Sequence, residues 1–81
     1  MRIELALFAS LEPYLPDSEP GSGRRTRMID LPDGTTVGEV VARLGLPDQP
    51  RVCFIDGRGV KEDATIAGGS RLAIFPPVAG G

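Results

Sequence analysis

Histidine is absent from the 81 residues, and cysteine occurs once, at Cys53. Without an imidazole, a conventional zinc site lacks its usual nitrogen ligand, and no unperturbed side chain titrates near neutral pH to act as a general base. A single thiol excludes an internal disulfide. There is no signal peptide and no apolar run of spanning length, so the sequence reads as cytoplasmic, with no membrane partner. Charge of one sign is lacking too: nine basic residues stand against eleven acidic ones, for a net charge of −2. Nucleic-acid binding calls for a clustered positive surface, which this balance argues against. Arg24, Arg25 and Arg27 do lie close together, and they read as the solvated edge of a loop. No pairing of a nucleophile with a base stands out either. No metal and no bound cofactor is expected, and any catalytic groups must come from a partner.

What the chain has is a short alternation of strands around one helix. In residues 2–8, Ile3, Leu5 and Leu7 fall on one face, with Arg2, Glu4, Ala6 and Phe8 on the other. The first set is the core face, which leaves Phe8 as a large apolar group without obvious cover. Residues 9–24 hold Pro13, Pro16, Pro20, Gly21 and Gly23 among polar residues. They read as a long, mobile loop with a helical turn near Ser10–Glu12. Gly21-Ser22-Gly23 lacks the following Gly-Lys-Ser/Thr of a phosphate loop. Residues 25–31 read as a second strand, antiparallel to the first, closed by Pro32-Asp33-Gly34.

The clearest local signal follows. Thr36 and Glu39 have the spacing of a capping box, and Val37, Val40, Val41 and Leu44 recur at helical spacing. Gly45 stands where a left-handed cap belongs, and Pro47 stops the helix from resuming. A helix over 37–44 follows, and since valine has modest helical propensity, packing on a sheet must hold it. Residues 51–55 read as a short strand with Cys53 as a small buried hydrophobe. Asp56-Gly57 marks a turn into a brief strand near Gly59–Lys61. A surface connection over 62–70 is anchored by Ile66, and its adjacent Glu62 and Asp63 read as solvated. Residues 71–75 form the final strand, placed centrally beside the first.

That strand runs into Pro76-Pro77-Val78-Ala79-Gly80-Gly81. Prolines lack the donors to continue a sheet and favour a stiff extended spacer. Two glycines without side chains can be threaded into a cleft too narrow for bulkier residues. One domain spanning 1–81 is expected, with 76–81 as a flexible arm that carries a terminal carboxylate clear of the fold. The other reading of such an ending is a frayed terminus.

The element order describes an α+β fold of the β-grasp, ubiquitin-like type: a mixed sheet of four to five strands with one main helix on one face. Three stretches, Phe8-Ala9-Ser10-Leu11, Thr36–Gly45 and Leu72–Gly81, resemble the MoaD/ThiS sulfur carriers. Within that family the chain most resembles the MoaD branch, the small subunit of molybdopterin synthase. It departs in having Gly69-Ser70 where the family often has Gly-Asp, and Ile55-Asp56-Gly57 where it often has Val-Asn-Gly. Both changes fall in turns.

The resemblance implies a mechanism and a set of partners. An E1-like enzyme adenylates the Gly81 carboxylate with ATP, which the partner consumes. A sulfur donor such as a cysteine desulfurase or rhodanese then leaves a thiocarboxylate on that glycine. The tail, with Gly80 and Ala79 offering no side-chain nucleophile, enters an acceptor enzyme such as the large subunit of molybdopterin synthase. Phe8, Phe75, Pro76, Pro77 and Val78 are the implied partner contacts, with core packing the other reading of Phe75. The unpartnered carrier is expected to be a monomer. Three other outcomes stay open: a carrier for thiamine or another sulfur metabolite, a ubiquitin-like modifier of lysines, and an interaction module whose tail is incidental.

Overall fold

The computed structural model describes residues 1–77. The tail positions Val78, Ala79, Gly80 and Gly81 lie outside the described residues. Five strands, one α-helix and one 3-10 helix follow in the order β1 (Arg2–Leu7), the 3-10 helix (Ala9–Tyr14), β2 (Thr26–Asp30), α1 (Val37–Leu44), β3 (Val52–Ile55), β4 (Arg58–Val60) and β5 (Arg71–Phe75). The strands make one mixed sheet in the order β2-β1-β5-β3-β4. Only the β1–β5 pair is parallel, and those two strands lie at the centre of the sheet. This is the expected α+β β-grasp arrangement, with the last strand beside the first.

Register divides the side chains between two faces. Leu5 pairs with Leu72 and Leu7 with Ile74 across the central strands, while Cys53 pairs with Ile74. These residues join Ile3, Val37, Val40, Val41 and Ile66 in a single buried cluster. The strand alternation and the helical stripe therefore bury one face of the sheet against α1.

The helix begins and ends as its residues dictate. The Thr36 hydroxyl accepts from the Glu39 amide at 3.2 Å, and the Thr36 amide donates to Glu39 Oε1 at 2.9 Å, which closes the capping box. Gly45 takes φ 69°, a region costly for residues with a Cβ, and its N–H returns to the carbonyl of Ala42. Two further supports come from far along the chain. The amides of Val37 and Gly38 donate to the carbonyls of Ala64 and Glu62, at 3.0 and 2.7 Å, so the connection before β5 holds the first turn. Glu62, expected to be solvated and still 43% exposed, also accepts from Arg51 Nε at 2.8 Å, and Arg51 is mostly buried. Arg51 also donates to the carbonyls of Pro47 and Gln49. One guanidinium thus ties the segment after the helix to the segment after β4.

The connection from β1 to β2 carries the expected helical turn, as the 3-10 helix Ala9–Tyr14, and is tied to the sheet by bonds the sequence does not display. Leu11 of the 3-10 helix is buried, and the chain then folds back along β2. The Met28 amide donates to the Glu19 carbonyl at 2.7 Å, and Pro20 bridges to Arg27. Thr26 Oγ1 both donates to the Gly23 carbonyl and accepts from the Gly23 amide. Gly21 lies so close to β1 and β2 that a Cβ there would sit 2.5 Å from both Glu4 Oε2 and Thr26 Oγ1. These bonds are made chiefly by backbone groups, which carry no side-chain pattern for a sequence to display.

Candidate functional site

The face of the sheet away from the helix carries the candidate site. Alternation places Glu4, Ala6 and Phe8 on this face of the β1 path, and Arg71, Ala73 and Phe75 on this face of β5. Pairing with β5 adds Val52 and Phe54 from β3, since Val52 lies opposite Phe75 and Phe54 opposite Ala73.

Three aromatic rings gather where β5 ends. Phe8 directly follows β1, and its amide donates to the Ile74 carbonyl at 3.2 Å, which brings it beside Phe75. The rings of Phe8 and Phe75 stack with centroids 4.2 Å apart and planes within 5°. Phe54 meets Phe75 edge-on, at 5.7 Å and 89°. Such pairs contribute about 0.5–1.5 kcal/mol beyond their buried area. All three rings are only half-buried. Phe54 and Phe75 border an open groove of about 540 Å³, lined also by Ala9, Val52, Pro76 and Pro77. Val52, 48% exposed, adds its apolar surface to the edge of that groove.

Of the expected contacts, the structure brings together Phe8, Phe75, Pro76 and Pro77. Core packing does not account for Phe75: the core side of β5 belongs to Leu72 and Ile74. Phe8 finds its cover in Phe75. Two further residues belong here that the sequence reading did not single out, Phe54 and Val52. Their signal was present, because a buried Cys53 in a strand sends both neighbours to the opposite face. Val78, Ala79, Gly80 and Gly81 fall beyond residue 77, and the strand that leads to them is β5.

Toward β2 the same face turns polar. Glu4 receives the amide N–H of Ser22, and its Oε1 lies 3.4 Å from Arg71 Nε. The Ser22 amide is the main reason the Glu4 carboxyl is held below its usual range, with Arg71 and Thr26 adding to the effect against partial burial. Arg2 pairs with Glu19 and approaches Asp30. Cys53 lies on the other side of the sheet. Burial pushes its thiol up, Glu62 adds to the shift, and Arg51 opposes it. A buried, protonated thiol is a packing group and a poor nucleophile. Among the described residues, no cluster of three histidine, cysteine or carboxylate side chains could hold a metal ion. Nor is any helix there long and apolar enough to cross a membrane.

A family model described as the ThiS family matches residues 19–81. The chain belongs to the ThiS family. It is thus a sulfur-carrier or ubiquitin-like modifier protein of the ThiS/MoaD superfamily. Among solved structures, SAMP1 of Haloferax volcanii, the small archaeal modifier protein 1, is 27% identical over the whole of both chains, with a TM-score of 0.68. The HVO 2177 protein of the same organism is 24% identical over all of this chain and 87% of that one, with a TM-score of 0.76. A complex of subunits 1 and 2 of the molybdopterin-converting factor from Helicobacter pylori 26695 contains a chain 15% identical over the whole of both, with a TM-score of 0.60. The last two likenesses establish a common fold. No curated protein matches this ThiS-family chain at a significant level.

Proposed function

We propose that this ThiS-family protein carries sulfur on Gly81 for the biosynthesis of molybdopterin, the organic part of the molybdenum or tungsten cofactor. The observation that carries the reading is the course of β5. This central strand, hydrogen-bonded on both sides, leads beside a partly buried aromatic cluster into Pro76-Pro77 and, in sequence, Val78-Ala79 and the diglycine. The tail sequence follows directly from this strand, and an apolar groove beside Pro76 and Pro77 offers a partner something to hold.

The chemistry needs no side chain from the carrier. A Gly81 carboxylate oxygen attacks the α-phosphorus of ATP on an E1-like enzyme, pyrophosphate leaves, and an acyl-adenylate forms. The terminal sulfur of a persulfide on a cysteine desulfurase or rhodanese then attacks the acyl carbon and AMP leaves; a thiol reductant cleaves the resulting acyl disulfide, releasing the thiocarboxylate and forming a disulfide with the donor enzyme's sulfur. The thiocarboxylate on Gly81 enters an acceptor resembling the large subunit of molybdopterin synthase. The Helicobacter pylori complex of subunits 1 and 2 supports a partner of this kind. Gly80 and Ala79 place no nucleophile beside the activated carbonyl, and enclosure of the tail keeps water from it. Removal of Gly81 tests the reading: sulfur transfer in a reconstituted system should vanish, with folding stability unchanged within about 0.5 kcal/mol. Undiminished transfer by the truncated chain would refute it.

A second reading, conjugation of Gly81 to lysines of other proteins, draws on the likeness to small archaeal modifier protein 1. It has a distinctive consequence here. Lys61 is the only lysine of the chain, and it is exposed, so lysine-linked chains of this protein would have one linkage type. A Gly81–Lys61 isopeptide found by mass spectrometry after activation would favour the modifier over the carrier.

A further inference from the structure

The groove at the root of the tail continues across the open face. Beyond Phe54 and Phe75 lies a hollow of about 260 Å³ that reaches Ala73, Arg71 and Phe8. Past Phe8 and Arg71 comes another, of about 270 Å³, walled by Gly23, Arg24 and Arg25. Adjacent hollows share walls, first Phe54 and Phe75, then Phe8 and Arg71. The result is one track, apolar beside Pro76 and Pro77 and cationic at its far end.

The fold holds the cationic end in place. The Leu7 amide donates to the Arg25 carbonyl at 3.2 Å, which fixes the backbone of Arg25 beside the end of β1 and hence beside Phe8. The hydrogen bonds between Gly23 and Thr26 close the turn that presents Arg24 and Arg25. Two of the three guanidiniums meet a carboxylate: Arg25 meets Glu12 at 2.8 Å and Arg71 meets Glu4 at 3.4 Å. Arg24 has none within ion-pair distance among the described residues. On a chain of net charge −2, this end is a local exception to the overall sign.

We propose that Arg24, Arg25 and Arg71 select a partner protein whose docking surface sets an apolar ridge against Phe54 and Phe75 and a group of carboxylates against the arginine end. Charge complementarity gives the occupant its sign, and the apolar length of the track makes it a protein surface rather than a phosphate backbone. The proposal rests on the carrier reading in one respect: it takes the E1-like enzyme as the first protein to hold the chain by this face.

The test is the dissociation constant between the full chain and the E1-like enzyme of its host, measured by calorimetry at low and high salt. It compares wild type, Arg24→Glu/Arg25→Glu, Arg24→Gln/Arg25→Gln, and a control of equal charge change away from the track, Arg43→Glu/Arg58→Glu. The double reversal should weaken binding about tenfold at low salt and remove most of the salt dependence, the glutamine pair should fall between, and the control should bind as wild type does. Thermal unfolding of each variant separates lost docking from lost folding, and the glutamine pair decides if the reversal unfolds the chain. Equal affinities for wild type and the track variants, equal losses in the control, or no binding by wild type would each overturn the proposal. So would tight binding of a single-stranded oligonucleotide that the same reversal abolishes, which would assign the track to nucleic acid. Binding needs no thiocarboxylate, so the proposal stands or falls separately from sulfur transfer.

Discussion

Leu5 and Val40 in the core and Val52 on the open face separate the packing that folds this protein from the surface proposed for its partners. Leu5 is fully buried between the central strands and the helix, and Leu5→Ala should cost about 2–5 kcal/mol in denaturant unfolding. Val40 is buried on the helix stripe and belongs to the same core. Val52, half exposed at the groove, should lose no more than about 0.5 kcal/mol on replacement by alanine. Its loss should be felt in partner affinity instead, and a Val52→Ala chain as unstable as Leu5→Ala would contradict the placement. Ala9 offers a different kind of test. It has φ 51°, left-handed backbone that strains a residue with a Cβ, at the point where the chain turns away from Phe8. Ala9→Gly should therefore raise stability, by about 0.5–1 kcal/mol. A clear loss in chemical denaturation would show that the alanine methyl contributes more than the strain costs.

Among the elements, the helix was the most legible in sequence and the β1–β2 connection the least. Thr36, Glu39, the valine stripe and Gly45 each state a local rule, and all agree, so the helix limits fall where the residues put them. Thr36→Ala removes one half of the capping box and should cost about 1 kcal/mol. The connection has no such pattern, because backbone amides of Ser22, Gly21 and Met28 hold it by meeting Glu4, Thr26 and Glu19. The Arg51–Glu62 pair was hidden for a related reason: it joins two loops whose meeting depends on the whole fold. In the candidate site, Phe8, Phe75 and Pro76-Pro77 were legible. Phe54 and Val52 were legible only indirectly, through the buried Cys53 that lies between them in a strand of four residues.

Glu4 links that connection to β1, and it gives stability a pH dependence of known sign. Its carboxyl is held below the usual range, chiefly by the Ser22 amide, so the folded state favours the carboxylate. The resulting contribution is present above the ordinary carboxylate range and is lost as pH falls through the lowered folded value. Glu4→Gln should flatten the acid limb of the stability profile, and an acid limb as steep as that of wild type would exclude this origin.

For the whole molecule, the division of labour follows from the two faces of one sheet. The helix side supplies nearly all the buried aliphatic surface, and the open side carries the aromatic cluster, the groove and the arginines. Between them β5 serves both sides, with Leu72 and Ile74 in the core and Phe75 in the site. On the proposed carrier reading, the chain would bring its partner the strand, the open face and the tail sequence, and the partner would bring the catalysis. The most direct test is the intact mass of the chain after incubation with ATP, an active E1-like enzyme of its host and a sulfur source. The expected result is a gain equal to replacement of one oxygen by sulfur, assigned by fragmentation to Gly81. An unchanged mass, under conditions where enzyme and sulfur donor are demonstrably active, would contradict the carrier account.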